Sequence, residues 1–261
     1  MLPYLEGRPV SILRAPDGIG GETFFQRHAM PAMKRGIERI PDPDGNRADY
    51  FCVRDATGLA SAVQFGAIEF HGWGARLPDL TVPDRMIFDL DPADDVPFSA
   101  VKSAAELIRR ILATAGLKSF ALASGGKGVH VVVPLTGQRG WSDVETFSRG
   151  LAHMLARSEP DRYVAVMSKS RRQGRIFIDW LRNKQSATAI TPYSIRVRPT
   201  ASLAMPVSWQ QLRGLQSAAA FTARLETIPA GDPWRGFANP QTVSQSVLNI
   251  LPKFVAHSQS G

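Results

Sequence analysis

Runs of apolar residues, many of them alternating with polar ones, predict a series of short strands. The clearest run is Arg85–Pro92, which its final proline ends because proline cannot donate a hydrogen bond to a sheet ladder. Side chains on a strand alternate between faces, so Asp89 and Asp91 project from one side and the apolar residues pack on the other. Further strands are predicted at 49–53, 67–73, 119–123, 129–134, 176–180 and 187–198.

Apolar residues at helical spacing predict two amphipathic helices, Phe98–Ala115 and Trp141–Arg157. Ser99 or Asp95 suits the start of the first helix as a cap, and Gly116 suits its end. Long helices among many strands indicate an α/β protein. The weaker expectations are helices at 209–215 and 241–251, a hairpin-like stretch from 49–53 through 55–58 into the small-residue segment 59–66, and a frayed tail at 256–261.

Composition narrows the class of protein. The 261 residues are 44% hydrophobic and 21% charged, as in a soluble globular protein, and no apolar stretch approaches the membrane-spanning length of about 20 residues. The first residues lack the basic and apolar regions of a secretory signal, so we expect a cytoplasmic protein. The single cysteine, Cys52, has no partner for a disulfide and is expected in the core. Lys and Arg outnumber Asp and Glu by 31 to 23, and this net charge of +8 favours nucleic acid as a partner.

The aspartates of the strand 85–92 suggest a metal site. Carboxylates side by side repel each other unless a cation lies between them, and Mg²⁺ or Mn²⁺ bound through oxygen would meet that need. The alternative is that Asp91 opens an Asp-Pro turn while Asp89 points to solvent. The strand 176–180 places Asp179 near its own end in the same way. A third carboxylate from a neighbouring strand is what a site for two metal ions requires.

A glycine-rich segment and a basic segment are suited to phosphate. The segment Ser124–Gly128 separates two strands, and its glycines leave backbone N–H groups free while Ser124 and Lys127 supply donors. It is not a Walker A loop, since the spacing differs and a strand carrying His130 follows where a helix should begin. A plain glycine-rich hairpin is the alternative. The segment 169–175 carries four cations and leads directly into the Asp179 strand.

Two further stretches carry chemistry on strand faces. Glu69, His71 and Trp73 share one face, which we interpret as facing a ligand, with an ordinary solvated face as the alternative. Phe24 and Phe25 fall on opposite faces if that piece is extended, so one ring would pack inward and the other would offer a surface for a base to stack on. Two core phenylalanines remain the alternative.

Taken in order, three motifs resemble those of the archaeo-eukaryotic primase superfamily, and more narrowly the polymerase domain of bacterial DNA ligase D. They are Asp89-Leu90-Asp91, the run from Ser124 to His130, and Ile178-Asp179, supported by Thr191–Arg196. The resemblance implies a two-layer α/β sandwich whose mixed or antiparallel sheet carries the metal site. It also implies one primase-polymerase domain over 1–261, with a DNA-contacting part at about 1–80, a metal and nucleotide core at about 81–200 and a helical part at about 201–261.

The same resemblance implies a template-dependent nucleotidyltransferase that adds NTPs or dNTPs, with ribonucleotides and Mn²⁺ preferred, at gaps or broken DNA ends during non-homologous end joining. Its partners would be gapped duplexes or DNA ends, ligase and nuclease modules and the end-binding protein Ku, in the nucleoid. By this resemblance, two Mn²⁺ or Mg²⁺ ions are bound by Asp89, Asp91 and Asp179; nucleotide is bound by His71, Ser124, Lys127, His130, Arg172 and Arg196; and DNA is bound by Arg14, Phe24 and Phe25.

Two rival functions remain at this point. An Asp-x-Asp phosphotransferase would use Asp89 as a covalent nucleophile, but it expects a threonine shortly after Asp91, where Pro92 stands instead. A scaffold without activity would bridge broken DNA ends through its basic loops. Family members also begin a few tens of residues earlier, with lysines that grip a 5′-phosphate, whereas this sequence opens at Met1-Leu2-Pro3. The sequence therefore leaves the recognition of a 5′-phosphate open.

Overall fold

The computed structural model describes residues 1–42, 48–224, 226 and 228–250, so the predicted frayed tail at 256–261 lies outside the described residues. The strands are β1 Val10–Arg14, β2 Phe24–Gln26, β3 Ile37–Ile40, β4 Tyr50–Val53, β5 Ala67–Trp73, β6 Arg85–Pro92, β7 Phe120–Ala123, β8 Val129–Pro134, β9 Tyr163–Val164, β10 Ile176–Asp179, β11 Thr188–Ile190 and β12 Met205–Val207. The helices are α1 Leu2–Leu5, α2 Ala56–Gln64, α3 Phe98–Thr114, α4 Trp141–Ser158, α5 Trp209–Gly214 and α6 Gln245–Ile250.

A six-stranded sheet in the order β12-β7-β8-β6-β10-β9 forms the centre of the molecule. Its strands pair antiparallel, except that β9 runs parallel to β10. The long helices α3 and α4 pack on one face, where Phe88 and Leu90 of β6 join residues such as Ile108 and Leu151 in the largest apolar cluster. This arrangement confirms the predicted α/β sandwich, and it confirms that Asp89 and Asp91 project from the face opposite the helices.

A four-stranded sheet in the order β11-β5-β1-β2 covers part of that opposite face. Ala189 and Ile190 of β11 pack with Ile87 of β6 and Val132 of β8 in a second apolar cluster. The contact places β5 beside the aspartate-bearing strand. A two-stranded ribbon, β3 with β4, packs outside this sheet and buries Cys52, as predicted. Among the described residues, no helix is both long and apolar enough to cross a membrane.

Three local predictions were wrong. The small-residue segment after β4 is not part of a hairpin but the helix α2, which Asp55 caps by accepting a hydrogen bond from the Gly58 N–H at 2.9 Å. The strand predicted over 187–198 ends at Ile190, because Pro192 has no N–H and Tyr193 takes a φ of 67°. The helix predicted from Gln241 begins at Gln245.

The start of α3 also differs from the prediction. Pro97 is the residue before its first turn, and no side chain caps that turn. Asp95, which we expected to help cap the helix, instead accepts a hydrogen bond from the Gly174 N–H at 3.1 Å. The turn between β6 and α3 is therefore hydrogen-bonded to the basic segment 169–175 and does not cap the helix.

Candidate functional site

The three predicted metal ligands lie at one end of the central sheet. Antiparallel pairing of β6 with β10 sets Asp179 directly opposite Asp89, and Asp91 lies two residues further along β6. Asp179 is buried and Asp89 nearly so, whereas the Asp91 side chain is half exposed. Carboxylates from two neighbouring strands therefore share one face, as the alternation of side chains requires.

An arginine lies between the two buried carboxylates. The Arg182 Nε is 3.2 Å from Asp89 Oδ2 and 3.1 Å from Asp179 Oδ2. The turn that carries Arg182 is held against β6 by Asn183, whose buried side chain accepts from the Ile87 N–H and donates to the Ile87 carbonyl, both at 2.7 Å. The Asn183 amide takes the place of a strand partner for Ile87, just beyond the last backbone pair of β6 and β10. It thereby fixes Arg182 over the carboxylates.

The carboxylates differ in how readily they ionise. Burial opposes the charge of Asp89, but His130 and Arg182 outweigh that effect and hold its pKa well below the usual range. Burial and repulsion from Asp89 raise the pKa of Asp91. Burial raises the pKa of Asp179 as well, with Arg182 opposing the shift and Asp89 adding to it. The surplus negative charge of the cluster would be relieved by additional cations.

The glycine-rich segment curves around the open end of β6. The His130 Nε2 lies 3.3 Å from Asp89 Oδ1, because His130 is opposite Asp89 in the β6–β8 pairing. Gly128 can only be glycine, since a Cβ there would lie 2.2 Å from the Leu90 carbonyl oxygen. Gly125 takes a φ of +70°. Lys127 stands at the rim with its Nζ against the carboxylate of Asp94.

The basic segment faces Asp91 from the other side. Arg172 donates to Asp91 Oδ2 at 2.8 Å and to the Met167 carbonyl at 3.0 Å, and its guanidinium lies 4.1 Å from the centre of the Phe177 ring. Its Nε is buried, and no residue that the structure describes provides it with a hydrogen-bond partner. Of the four cations in this segment, Arg172 is thus the one placed at the carboxylates, while Lys169 lines the same cleft and Arg171 is exposed.

A second ion cluster lies on β5. The buried Glu69 accepts from His71 Nε2 at 2.9 Å, from Arg196 Nε at 3.1 Å and from the Val197 N–H at 2.7 Å. Burial works against its charge, but these donors lower the pKa of Glu69 to about 2. Burial lowers the pKa of His71, with Glu69 opposing the shift. Arg196 also donates to the Ser124 carbonyl at 3.0 Å, which ties this cluster to the glycine-rich segment.

The two phenylalanines lie on β2, where both rings are exposed, at 43% for Phe24 and 52% for Phe25. Both alternatives predicted from the sequence, one ring packed inward and two core phenylalanines, were wrong, because β2 is a strand of three residues at the edge of its sheet. Phe25 meets the His71 ring edge-on at 6.1 Å between centroids. Arg14 is opposite Phe24 in the β1–β2 pairing, and its guanidinium donates to Phe65 O and Gln26 Oε1.

These parts enclose a cleft of about 830 Å³ above the sheet. A pocket of about 220 Å³ adjoins it through Asp89 and His130, and Phe25 and His71 line this pocket. Asp179 forms an ion pair with Arg182, which lines the cleft. Of the predicted site residues, Asp89, Asp91, Ser124, Lys127, His130, Arg172 and Arg196 line the cleft itself.

The profile of the family described as LigD, primase-polymerase domain, matches residues 1–234. The chain belongs to this LigD primase-polymerase family. Membership confirms the resemblance found in the motifs and places the protein among the nucleotidyltransferases. It gives no support to the Asp-x-Asp phosphotransferase reading.

Relatives agree with this assignment. The multifunctional non-homologous end joining protein LigD of Pseudomonas aeruginosa is 40% identical over 258 residues, which cover 96% of this chain and 31% of that protein. The bifunctional non-homologous end joining protein LigD of Bacillus subtilis is 27% identical over 265 residues, covering 97% of this chain and 42% of that protein. The LigD primase-polymerase domain thus spans about a third of the length of the curated relatives it matches.

A solved structure has the same fold. The polymerase domain of Mycobacterium tuberculosis Ligase D in complex with DNA matches with a TM-score of 0.76 and 27% identity, over 97% of this chain and 84% of that one. The fold predicted from the motifs is therefore confirmed for this LigD primase-polymerase domain.

The donor set of this LigD domain fits divalent metal ions in chemistry and charge. Three carboxylates on adjacent strands offer the oxygen ligands that Mg²⁺ and Mn²⁺ take. Within the described part of the chain, however, no group of three or more His, Cys, Asp or Glu side chains is arranged as a ready-made metal cluster. The reason is visible in the contacts, since Arg182 joins Asp89 to Asp179 while Arg172 holds Asp91. The metal site stays a prediction.

Sequence reasoning missed two residues of the LigD site. Arg182 was given no role, although its position three residues after Asp179 allows a tight turn to return it to the carboxylates. Glu69 was noted on its strand face, but its role in holding His71 and Arg196 was not. The available signal was a glutamate two residues before a histidine in a strand whose other residues are apolar or glycine.

Proposed function

We propose that this LigD primase-polymerase domain is a DNA-directed nucleotidyltransferase that adds NTPs or dNTPs to a 3′-hydroxyl at gaps or broken DNA ends. One observation carries the proposal. The register of β6 with β10 sets Asp179 against Asp89 on the floor of a cleft that Lys127 and Arg172 border with positive charge. Acidic groups below and cations above are what transfer of a phosphoryl group from a triphosphate requires.

Asp89, Asp91 and Asp179 would hold the metal ions. When bound, a pair of Mn²⁺ or Mg²⁺ ions would supply Lewis-acid stabilisation of the attacking and leaving oxygens. Arg182 places one positive charge between Asp89 and Asp179, and Arg172 places another at Asp91, so both arginines would give up contacts when metal binds. His130 orients Asp89 from the neighbouring strand.

The nucleotide would lie along the glycine-rich segment. Donors to its triphosphate would come from Ser124, Lys127, His130 and Arg172. The glycines at 125, 126 and 128 have no side chains, so the triphosphate can approach the backbone closely. The base and sugar would occupy the adjoining pocket between Phe25 and His71, where Arg196 also lies. Ribonucleotide preference is part of the same proposal.

DNA would approach from the β1–β2 edge. Phe24 and Phe25 expose two rings there, and Arg14 lies on the paired strand. The relatives named as non-homologous end joining proteins support a place in that pathway. Ligase and nuclease modules and the protein Ku as partners belong to the same proposal. The related domain solved in complex with DNA supports DNA as the substrate.

Asp89→Asn and Asp179→Ala test the assigned site. Loss of a metal-binding carboxylate is expected to reduce nucleotide addition by roughly a hundredfold to a thousandfold, since bound metal ions lower the activation barrier by several kcal/mol. Binding of labelled DNA should remain within about twofold, because both groups lie on the cleft floor. Asp161→Asn, an exposed aspartate outside the cleft, is the control. Full nucleotide addition by either site variant would refute the site, and a wild type that binds DNA without adding nucleotide would favour the end-bridging scaffold.

A further inference from the structure

The turn that follows β6 carries two aspartates, Asp94 and Asp95, which both line the cleft and which the roles assigned above do not use. Neither caps α3, since no side chain makes a cap hydrogen bond there. Each contacts a different cation-bearing segment at the cleft rim.

Asp94 faces the glycine-rich segment. Its carboxylate pairs with the Lys127 Nζ, and the pair is open to solvent, with side-chain exposures of 88% for Asp94 and 51% for Lys127. A carboxylate and a phosphate are both oxygen acceptors for the same ammonium group. A triphosphate that binds Lys127 therefore competes with Asp94 for its positive charge.

The surroundings give Lys127 room to change partners. The pair of Lys127 and Asp94 stands between the main cleft and a side pocket of about 230 Å³, and both residues line both spaces. The Lys127 side chain can thus turn from Asp94 toward the cleft without displacing a packed neighbour.

Asp95 faces the basic segment. Its Oδ1 accepts from the Gly174 N–H at 3.1 Å, and the backbone beside it closes the same contact, with the Ala93 N–H donating to the Arg175 carbonyl at 3.0 Å. Gly174 takes a φ of +69°, a conformation that favours glycine. Arg172 lies two residues before this anchored point, so Asp95 fixes the base of the loop that aims Arg172 at Asp91.

We propose that the Ala93–Asp95 turn sets the affinity for the nucleotide triphosphate through two opposing contacts. Asp94 competes with the triphosphate for Lys127 and weakens binding, whereas Asp95 is a positioning residue that holds the Arg172 loop and strengthens it. The inference rests on the proposed function, because it presumes a triphosphate in the cleft. It predicts opposite effects for two neighbouring aspartates that carry the same charge.

The test is equilibrium binding of ATP to the full chain in the presence of Mn²⁺ and without DNA. Asp94→Asn should bind ATP about threefold more tightly, as expected for removing an exposed competing ion pair. Asp95→Ala should bind about fivefold more weakly, whereas Asp95→Asn should stay within about twofold of wild type, because its side-chain oxygen still accepts the Gly174 N–H. Asp161→Asn makes the same charge change outside the cleft and is expected to leave ATP binding unchanged.

The ATP affinities of the variants either support or overturn the proposed roles of Asp94 and Asp95. Opposite shifts for Asp94→Asn and Asp95→Ala, with the asparagine at position 95 restoring affinity, support the proposal. Equal shifts in both aspartate variants would show that only the local charge matters and would overturn it, as would an Asp95→Asn variant as weak as Asp95→Ala. Thermal unfolding of each variant shows whether the fold is retained. A wild type that does not bind ATP would overturn the proposed function as well, whereas wild-type binding with unchanged variants would overturn this inference alone.

Discussion

Arg172 and Arg182 give the three aspartates of the site unequal environments. Arg182 joins the buried ends of Asp89 and Asp179, and Arg172 reaches only the more exposed Asp91. The pKa of Asp91 is raised by burial and by Asp89, while that of Asp89 is lowered by His130 and Arg182. A ligand that brings positive charge would therefore favour the ionised form of Asp91, next to the loop that carries Arg172.

Arg172→Ala is expected to raise the KM for nucleotide by roughly tenfold, since it removes a charged donor from the triphosphate. The Kd for DNA should change by less than about twofold, because Arg172 points to Asp91 rather than to the β1–β2 edge. Arg171→Ala, an exposed arginine in the same loop, is the matched control. Steady-state kinetics with a DNA binding assay separate the two effects. Equal changes in KM and Kd would move Arg172 to the DNA surface.

Glu69 makes stability depend on pH. Its pKa is lowered from 4.5 to about 2 on folding, so its ionised form stabilises the protein above pH 4.5, and that contribution is lost as the pH falls toward 2. The free energy of unfolding of wild type relative to Glu69→Gln should therefore be larger at about pH 6 than at about pH 3. Urea unfolding of both proteins at each pH measures this difference. A difference that does not change with pH would contradict the ionised cluster.

Among the strands and helices, the sequence predicted the features that follow from the regular spacing of side chains along a single element. The alternation in Arg85–Pro92 placed Asp89 and Asp91 on one face, and helical spacing located α3 and α4 within one residue at each end. It could not predict that the turn after Asp179 returns Arg182 to the carboxylates. That turn depends on a contact between Asn183 and Ile87, which lie 96 residues apart.

Asn183→Ala tests how that turn is held. The variant leaves the N–H and carbonyl of Ile87 without their partner inside the protein, which should lower the free energy of unfolding by about 2–4 kcal/mol. Asn239→Ala, at an exposed asparagine, should change it by less than about 0.5 kcal/mol. Chemical denaturation of both variants measures the difference. A small effect at Asn183 would mean that the turn is held by other contacts.

For the whole molecule, ordered motifs predicted more than periodicity did. The positions of Asp89, the glycine-rich segment and Asp179 along the chain led to the family, and the family confirmed the sandwich. Periodicity alone could not predict that β11 packs the second sheet against β6, nor that Ala56–Gln64 is helical, because small residues fit either state. Phe24 and Phe25 were misjudged for a related reason, since their exposure depends on β2 being an edge strand.

The central claim is that the cleft adds nucleotides to a DNA 3′-end under the direction of a template. The most direct measurement is extension of a labelled primer on a short-gapped duplex, with Mn²⁺ or Mg²⁺ and with each NTP and dNTP supplied singly, with and without a 5′-phosphate on the downstream strand. We expect metal-dependent extension by the nucleotide that pairs with the template, most strongly with ribonucleotides and Mn²⁺. DNA binding with no extension under any of these conditions would contradict it.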